Sequence, residues 1–255
     1  MPKTTHSPDY TNRKPMSLKG FLADKEKEVA KISRRLDKTY KHPGDFTDSV
    51  AIMLKQFGLT GAESNELENK VSVIIEGKRN GKWLEGFFKG EQKECSIFDW
   101  LGCYDPKGKR IVLYLCAIDD CARKLVGAIK TRSASASATT LFYMVFLHEL
   151  GHALHHSMLD FNSHSTLGES AECEKLAQHF TMTCIIAYGN QAKDIFEELE
   201  KNQPQQYRTW PELGDCTWKN CRSRFENNKE VVAWKEIVKK TNKNDKQTLI
   251  DLLDI

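Results

Sequence analysis

The spacing of apolar positions changes along the chain, and the changes mark out its elements. Residues 1–16 are polar and hold three prolines, so a disordered tail is expected there. In 17–41 the apolar positions Leu18, Leu22, Val29, Ile32 and Leu36 fall at helical spacing, and His42-Pro43-Gly44 ends the pattern. A second helix is predicted over 45–58, with Gly58 as its C-cap. The pattern then turns β-like. "VSVIIEG" (71–77) and "KWLEGFF" (82–88) flank "KRNG", a hairpin signal with Asn80-Gly81 in the turn. "ECSIFDWLG", the turn "YDPKGK" and the β-branched run "RIVLYLCAI" (110–118) complete a small, mostly antiparallel sheet.

"DDCARKLVGAIK" (119–130) reads as a helix with an Asp cap, and "TRSASASATT" (131–140) as a loop or weak helix start. From 141 onward the signals are helical, with breaks near 160–168, at Pro204, and near 211–217 and 241–244. The expected organisation is a tail (1–16), N-terminal helices (17–65), a core (66–190) and a helical C-terminal part (191–255) that covers the core and walls one side of a cleft.

Charge and cysteine content narrow the function classes. A net charge of +3 is too weak to argue for nucleic acid or a membrane surface. The basic excess lies in residues 1–41, with eleven Lys/Arg against five Asp/Glu, and reads as a solvated face. No apolar run has spanning length and no export signal is visible, so a reduced, cytoplasmic setting is expected for the eight cysteines. They contain no C-x-x-C, which leaves a zinc ribbon without support. Cys116/Cys121 and Cys216/Cys221 are each five apart and could be close in space.

The chemistry concentrates in "LFYMVFLHELGHALHHSM" (141–158). His148-Glu149-Leu150-Gly151-His152 is an H-E-x-x-H motif. On a helix, residues four apart share a face, so His148 and His152 can direct ring nitrogens at one metal ion. Glu149 lies about 100° round the axis, where it can meet a metal-bound water as general base without binding the metal. The preceding run is apolar all round, which places this helix at the centre of the fold. Imidazoles and a carboxylate at the end of a buried helix cost free energy unless bound or paired. His155 and His156, one turn further, read as solvent-exposed bystanders.

A tetrahedral catalytic zinc needs a third protein ligand. The longer H-E-x-x-H-x-x-G-x-x-H form is absent, since His155 and Met158 occupy its glycine and third-histidine positions. The next helix, "GESAECEKLAQHFTMTCIIAYG" (168–189), offers Glu169, Glu172 and Glu174. Glu174 is preferred on packing grounds, because Ala177 one turn on lets two helices approach closely; Glu172 is the runner-up. His164, His179, Tyr188, Tyr207 and Arg208 are available to stabilise an oxyanion, and nothing in the sequence selects among them.

"HELGH" followed by Glu174-Lys175-Leu176-Ala177, an E-x-x-A motif, resembles the gluzincin group of zinc metallopeptidases. The similarity covers roughly residues 108 to 190 and looks like the compact core of small bacterial members. Two departures stand out. The gap from His152 to Glu174 is longer than in one-zinc aminopeptidases, and Gln178 stands where others have Asp or Asn. The resemblance implies a zincin-like α+β fold, with the sheet packed on a central H-E-x-x-H helix. It also implies Zn2+ on His148, His152 and Glu174, and a peptide or protein substrate lying along "RIVLYLC" as a sheet edge. The expected function is hydrolysis of peptide bonds by a zinc-bound water with Glu149 as base. The alternative is a catalytically silent zincin-fold protein acting as a regulatory or protein-binding module.

Overall fold

The computed structural model describes residues 15–22, 46–76, 97–128, 134–162, 171–186, 190–204, 208 and 210–241. Residues 1–14 of the expected tail, most of the 17–41 helix and the hairpin strand 82–88 lie outside these residues. Met16 and Ser17 pair with Val73 and Ser72 as a short strand, where the tail was expected to pass into a helix. Within them the architecture is α+β, mostly helical, around one small sheet.

Strand β1 (Met16–Ser17) leads into one helical turn at 18–22. Helix α1 (Phe46–Phe57) ends as expected at Gly58, whose φ of 97° suits a residue without Cβ. Gly58 N–H bonds the Lys55 carbonyl and Leu59 N–H the Leu54 carbonyl, the paired bonds of a Schellman cap. Helix α2 (Gly61–Lys70) opens on a capping box: Thr60 Oγ1 accepts from Glu63 N–H, and the Glu63 carboxylate accepts from Thr60 N–H. That T-x-x-E signal is legible in the sequence.

β2 (Ser72–Glu76) follows, then a helical turn α3 (Ile97–Leu101), β3 (Gly102–Asp105) and β4 (Arg110–Tyr114). The sheet order is β1-β2-β4-β3. It is mixed rather than mostly antiparallel, because β2 and β4 run parallel in the middle while β1 and β3 pair antiparallel at the two ends. "IFDWL" is helical where a strand was expected, and the strand begins only at Gly102. β4 also stops at Tyr114, five residues long, and helix α4 (Leu115–Ala128) takes the apolar "LCAI" that read as strand. A short apolar run does not distinguish a buried strand from a buried helix start.

Helix α5 (Ala134–Ser157) runs across the sheet and carries the H-E-x-x-H motif. Phe142, Met144, Val145, Phe146 and Leu147 are all buried, so the helix is enclosed on every side as its apolar run requires. Gly102 is what lets it lie so close. A Cβ there would stand 2.7 Å from Val145 Cγ1 and 2.9 Å from the Val112 carbonyl.

α6 (Ala171–Ile186) packs along α5, and α7 (Asn190–Asn202) lies against both. A 3-10 turn (Trp210–Leu213), α8 (Trp218–Glu226) and α9 (Lys229–Thr241) complete the described residues. Phe57 of α1 meets Phe180 of α6 and Phe225 of α8 edge-on, at 5.5 and 5.2 Å between ring centres, so the C-terminal part shares the main core. The described cysteines are all free thiols, including both pairs spaced five apart. No helix among the described residues is long and apolar enough to cross a membrane.

Candidate metal centre

Two helices build the site, and their separation is set by small residues. Gly151, inside the H-E-x-x-H motif, faces Ala177 of the E-x-x-A motif. A Cβ on Gly151 would sit 3.0 Å from Ala177 Cα and 3.3 Å from its Cβ. The backbones of α5 and α6 therefore meet close to their contact limit, next to His152 and three residues from His148 and Glu174. Gly151→Ala tests this. Helix propensity alone would stabilise by about 1 kcal/mol, but the neighbour is backbone and cannot swing aside as a side-chain tip would. Overpacking costs about 1–3 kcal/mol, so a lower thermal midpoint is the expected result; an unchanged or higher one would contradict the contact.

That approach brings His148, His152 and Glu174 together. The two Nε2 atoms are 3.2 Å apart. Glu174 Oε2 lies 3.2 Å from His148 Nε2, and Oε1 lies 3.0 Å from His152 Nε2. All three side chains are buried, at 0%, 4% and 2% exposure. Glu174 is the carboxylate that reaches the histidines. Glu172 points to solvent and pairs with Lys175, which also holds Glu212, and Glu169 lies outside the described residues.

The donor set fits a metal better than it fits protons. If both Nε2 atoms carried hydrogens toward the two carboxylate oxygens, the N–H groups would lie side by side with their nitrogens 3.2 Å apart. As lone pairs aimed at one ion, all three ligand atoms are satisfied at once. Tetrahedral coordination at about 2.0–2.1 Å places ligand atoms roughly 3.3–3.4 Å apart, within a few tenths of an ångström of the spacing seen. Burial lowers the His148 pKa and outweighs the opposing Glu174 charge, so its imidazole is neutral. Burial raises the Glu174 carboxyl, but the charge of the His148 and His152 rings when protonated, with their hydrogen bonds, outweighs it and lowers the pKa. A metal requires a neutral imidazole and an ionised carboxylate, the directions in which His148 and Glu174 are shifted.

Glu149 is buried beside them, its Cγ 3.3 Å from where a Gly102 Cβ would be. It lies under the start of β3, off the His148/His152 face. The His148 ring is clamped by Phe98 of α3, stacked at 4.3 Å between ring centres and 13° between planes. Phe98 in turn meets Phe196 of α7 at 5.9 Å. No local signal in "SIFDW" announces this support, because it comes from tertiary packing.

The two neighbouring histidines are buried, not exposed as expected. His156 Nε2 donates to the Asn162 carbonyl at 3.0 Å, so its Nδ1 accepts from the Tyr104 hydroxyl at 2.9 Å. It thus ties β3 to the turn after α5. Burial pushes the His155 ring down to about 4, keeping it neutral.

"RIVLYLC" is not an edge. β4 lies between β2 and β3, and Ile111, Val112 and Leu113 are buried on both faces. β3 is one of the two terminal strands among the described residues, and it is the strand beside Glu149. Of the oxyanion candidates, His179 sits under Trp210, 6.5 Å between ring centres and about 140° round α6 from Glu174. Arg208 is exposed and donates to the Gln203 carbonyl. His164, Tyr188 and Tyr207 lie outside the described residues.

No protein-family profile, curated protein or solved structure matches this chain. The three buried ligands can hold a metal ion, and its chemistry has to be argued from the site itself.

Proposed function

We propose that the protein is a zinc-dependent hydrolase of peptide bonds, of the gluzincin type. The observation that carries this reading is the buried triangle of His148, His152 and Glu174, with a further carboxylate, Glu149, one residue from the first ligand. Two imidazoles and one carboxylate are the ligand set of catalytic zinc, leaving a position open for water or substrate. A zinc ion held there would supply Lewis acidity, polarising a carbonyl and lowering the pKa of a water.

The chain's own groups divide the remaining work. His148 is held in orientation by the Phe98 stack, and Glu174 fixes the second side of the triangle from another helix. Glu149 takes a proton from the attacking water and delivers it to the leaving amine.

The binding-module reading has one observation in its favour. His148 is fully buried and His152 is 4% exposed, so a substrate reaches them only through an opening. One experiment separates the two readings. Protein purified without a histidine tag is assayed for zinc content and incubated with a peptide library read by mass spectrometry. Stoichiometric zinc with chelator-sensitive cleavage supports the peptidase. Stoichiometric zinc without cleavage supports the binding module, and protein that takes up no zinc at these residues overturns both.

A further inference from the structure

A second group of ligating side chains lies one helical turn beyond the first. His155 follows His152 by three residues on α5, and Cys173 immediately precedes Glu174 on α6. Cys173 Sγ is 3.7 Å from His155 Nδ1. The third member, Glu230, comes from the first turn of α9, and one ligand atom from each of the three lies within 4.8 Å of the others. His155 and Cys173 are each 1% exposed.

The hydrogen bonds around His155 fix its tautomer. Asn228 Oδ1 accepts from the Glu230 backbone N–H at 2.9 Å, which identifies that atom as the oxygen. His155 Nε2 lies 3.3 Å from the same oxygen and must therefore carry the hydrogen. The Nδ1 lone pair is left facing the Cys173 sulfur. A ligating histidine whose other nitrogen donates to an acceptor that orients the ring is the usual arrangement at a metal. Phe225, edge-on at 6.2 Å between ring centres, closes the other side of the ring.

The Cys173–His155 distance suits zinc. Zn–S of about 2.3 Å and Zn–N of about 2.0–2.1 Å at a tetrahedral angle place sulfur and nitrogen roughly 3.6 Å apart, against the 3.7 Å seen. A divalent cation balances one thiolate and one carboxylate without net charge, which matters where the site is buried. A mixed N, S and O set favours zinc over magnesium or calcium.

We infer that His155, Cys173 and Glu230 form a second zinc site, which staples the C-terminal helix α9 to the α5/α6 pair. Among the described residues, Val231 of the 13-residue helix packs with Leu159 and Cys173, beside partly buried Met158 and Trp234. The Trp234 indole N–H adds one bond to the exposed Asp160 carboxylate at 2.9 Å.

Cobalt(II) titration of the full chain distinguishes the two sites, because only the second contains a thiolate. The expected result is two cobalt ions per chain and a near-ultraviolet thiolate-to-cobalt charge-transfer band. Cys173→Ser should remove the band and one equivalent, and Glu230→Gln should weaken that equivalent by about 10–100-fold or more. His148→Ala/His152→Ala should remove the other equivalent and leave the band. Hydrogen exchange of residues 229–241 should slow when zinc fills the site in the wild type, and not in Cys173→Ser. No charge-transfer band at saturating cobalt, or a band that survives Cys173→Ser, overturns the second site while leaving the first untouched. Loss of the His148/His152 equivalent alone bears only on the hydrolase.

Discussion

Glu149→Gln is expected to abolish peptide hydrolysis while the protein still binds zinc at full stoichiometry. Glutamine keeps the shape of the side chain, so the packing of its stem against Gly102 is preserved. It loses the only property the mechanism asks of this residue, a carboxylate able to accept a proton. General acid–base catalysis contributes about 10²–10⁴-fold in rate, and a loss in that range is the expected effect on kcat. The ligand triangle does not include Glu149, so zinc content and thermal midpoint should stay near wild type. Full activity in this variant would remove Glu149 from the chemistry and the peptidase assignment with it.

Glu174→Gln should act on the metal itself. The carboxylate supplies the only negative charge in the triangle and spans both histidines, at 3.2 and 3.0 Å. Changes that only touch a ligand's supporting partner already cost about 10–100-fold in affinity, so loss of a ligand should cost more than about 100-fold. A metal present at a thousand times its Kd stabilises the native state by about 4 kcal/mol. The part of the zinc-dependent rise in thermal midpoint that belongs to this site should therefore largely disappear in Glu174→Gln, leaving what the His155/Cys173/Glu230 site contributes. Glu172→Gln is the matched control, since Glu172 is exposed and engaged with Lys175. Equal zinc affinities in the two variants would mean that the third ligand is misassigned.

Sequence and structure agree where a pattern is local. Four-residue spacing puts His148 and His152 on one face, and the all-round apolar run buries their helix; both are properties of a single helix. Ala177 pointed to Glu174 because close helix approach needs a small residue, and Gly151 is its partner in that contact. Reading failed where the deciding interaction comes from elsewhere in the chain. "IFDWL" and "LCAI" are apolar enough for strand or helix, and tertiary packing made both helical. β4 could not be placed inside or at the edge of the sheet from its own residues. His155 and His156 were read as surface groups because their partners are distant in sequence: Asn228 for one, Tyr104 for the other. Cys173 carries no signal at all until α9 arrives beside it.

The Gly151–Ala177 contact has a consequence for which ions the first site accepts. At that crossing the two helices rest backbone on backbone, a hard stop that no rotamer can soften. The ligand atoms project from either side of the stop, so the aperture between them is gauged by main chain rather than by side-chain choice. A small cation cannot draw the helices closer, and a large one must prise apart a buried seam. Selection by ionic size would thus be built into the crossing point of two helices, at residues that never touch the ion.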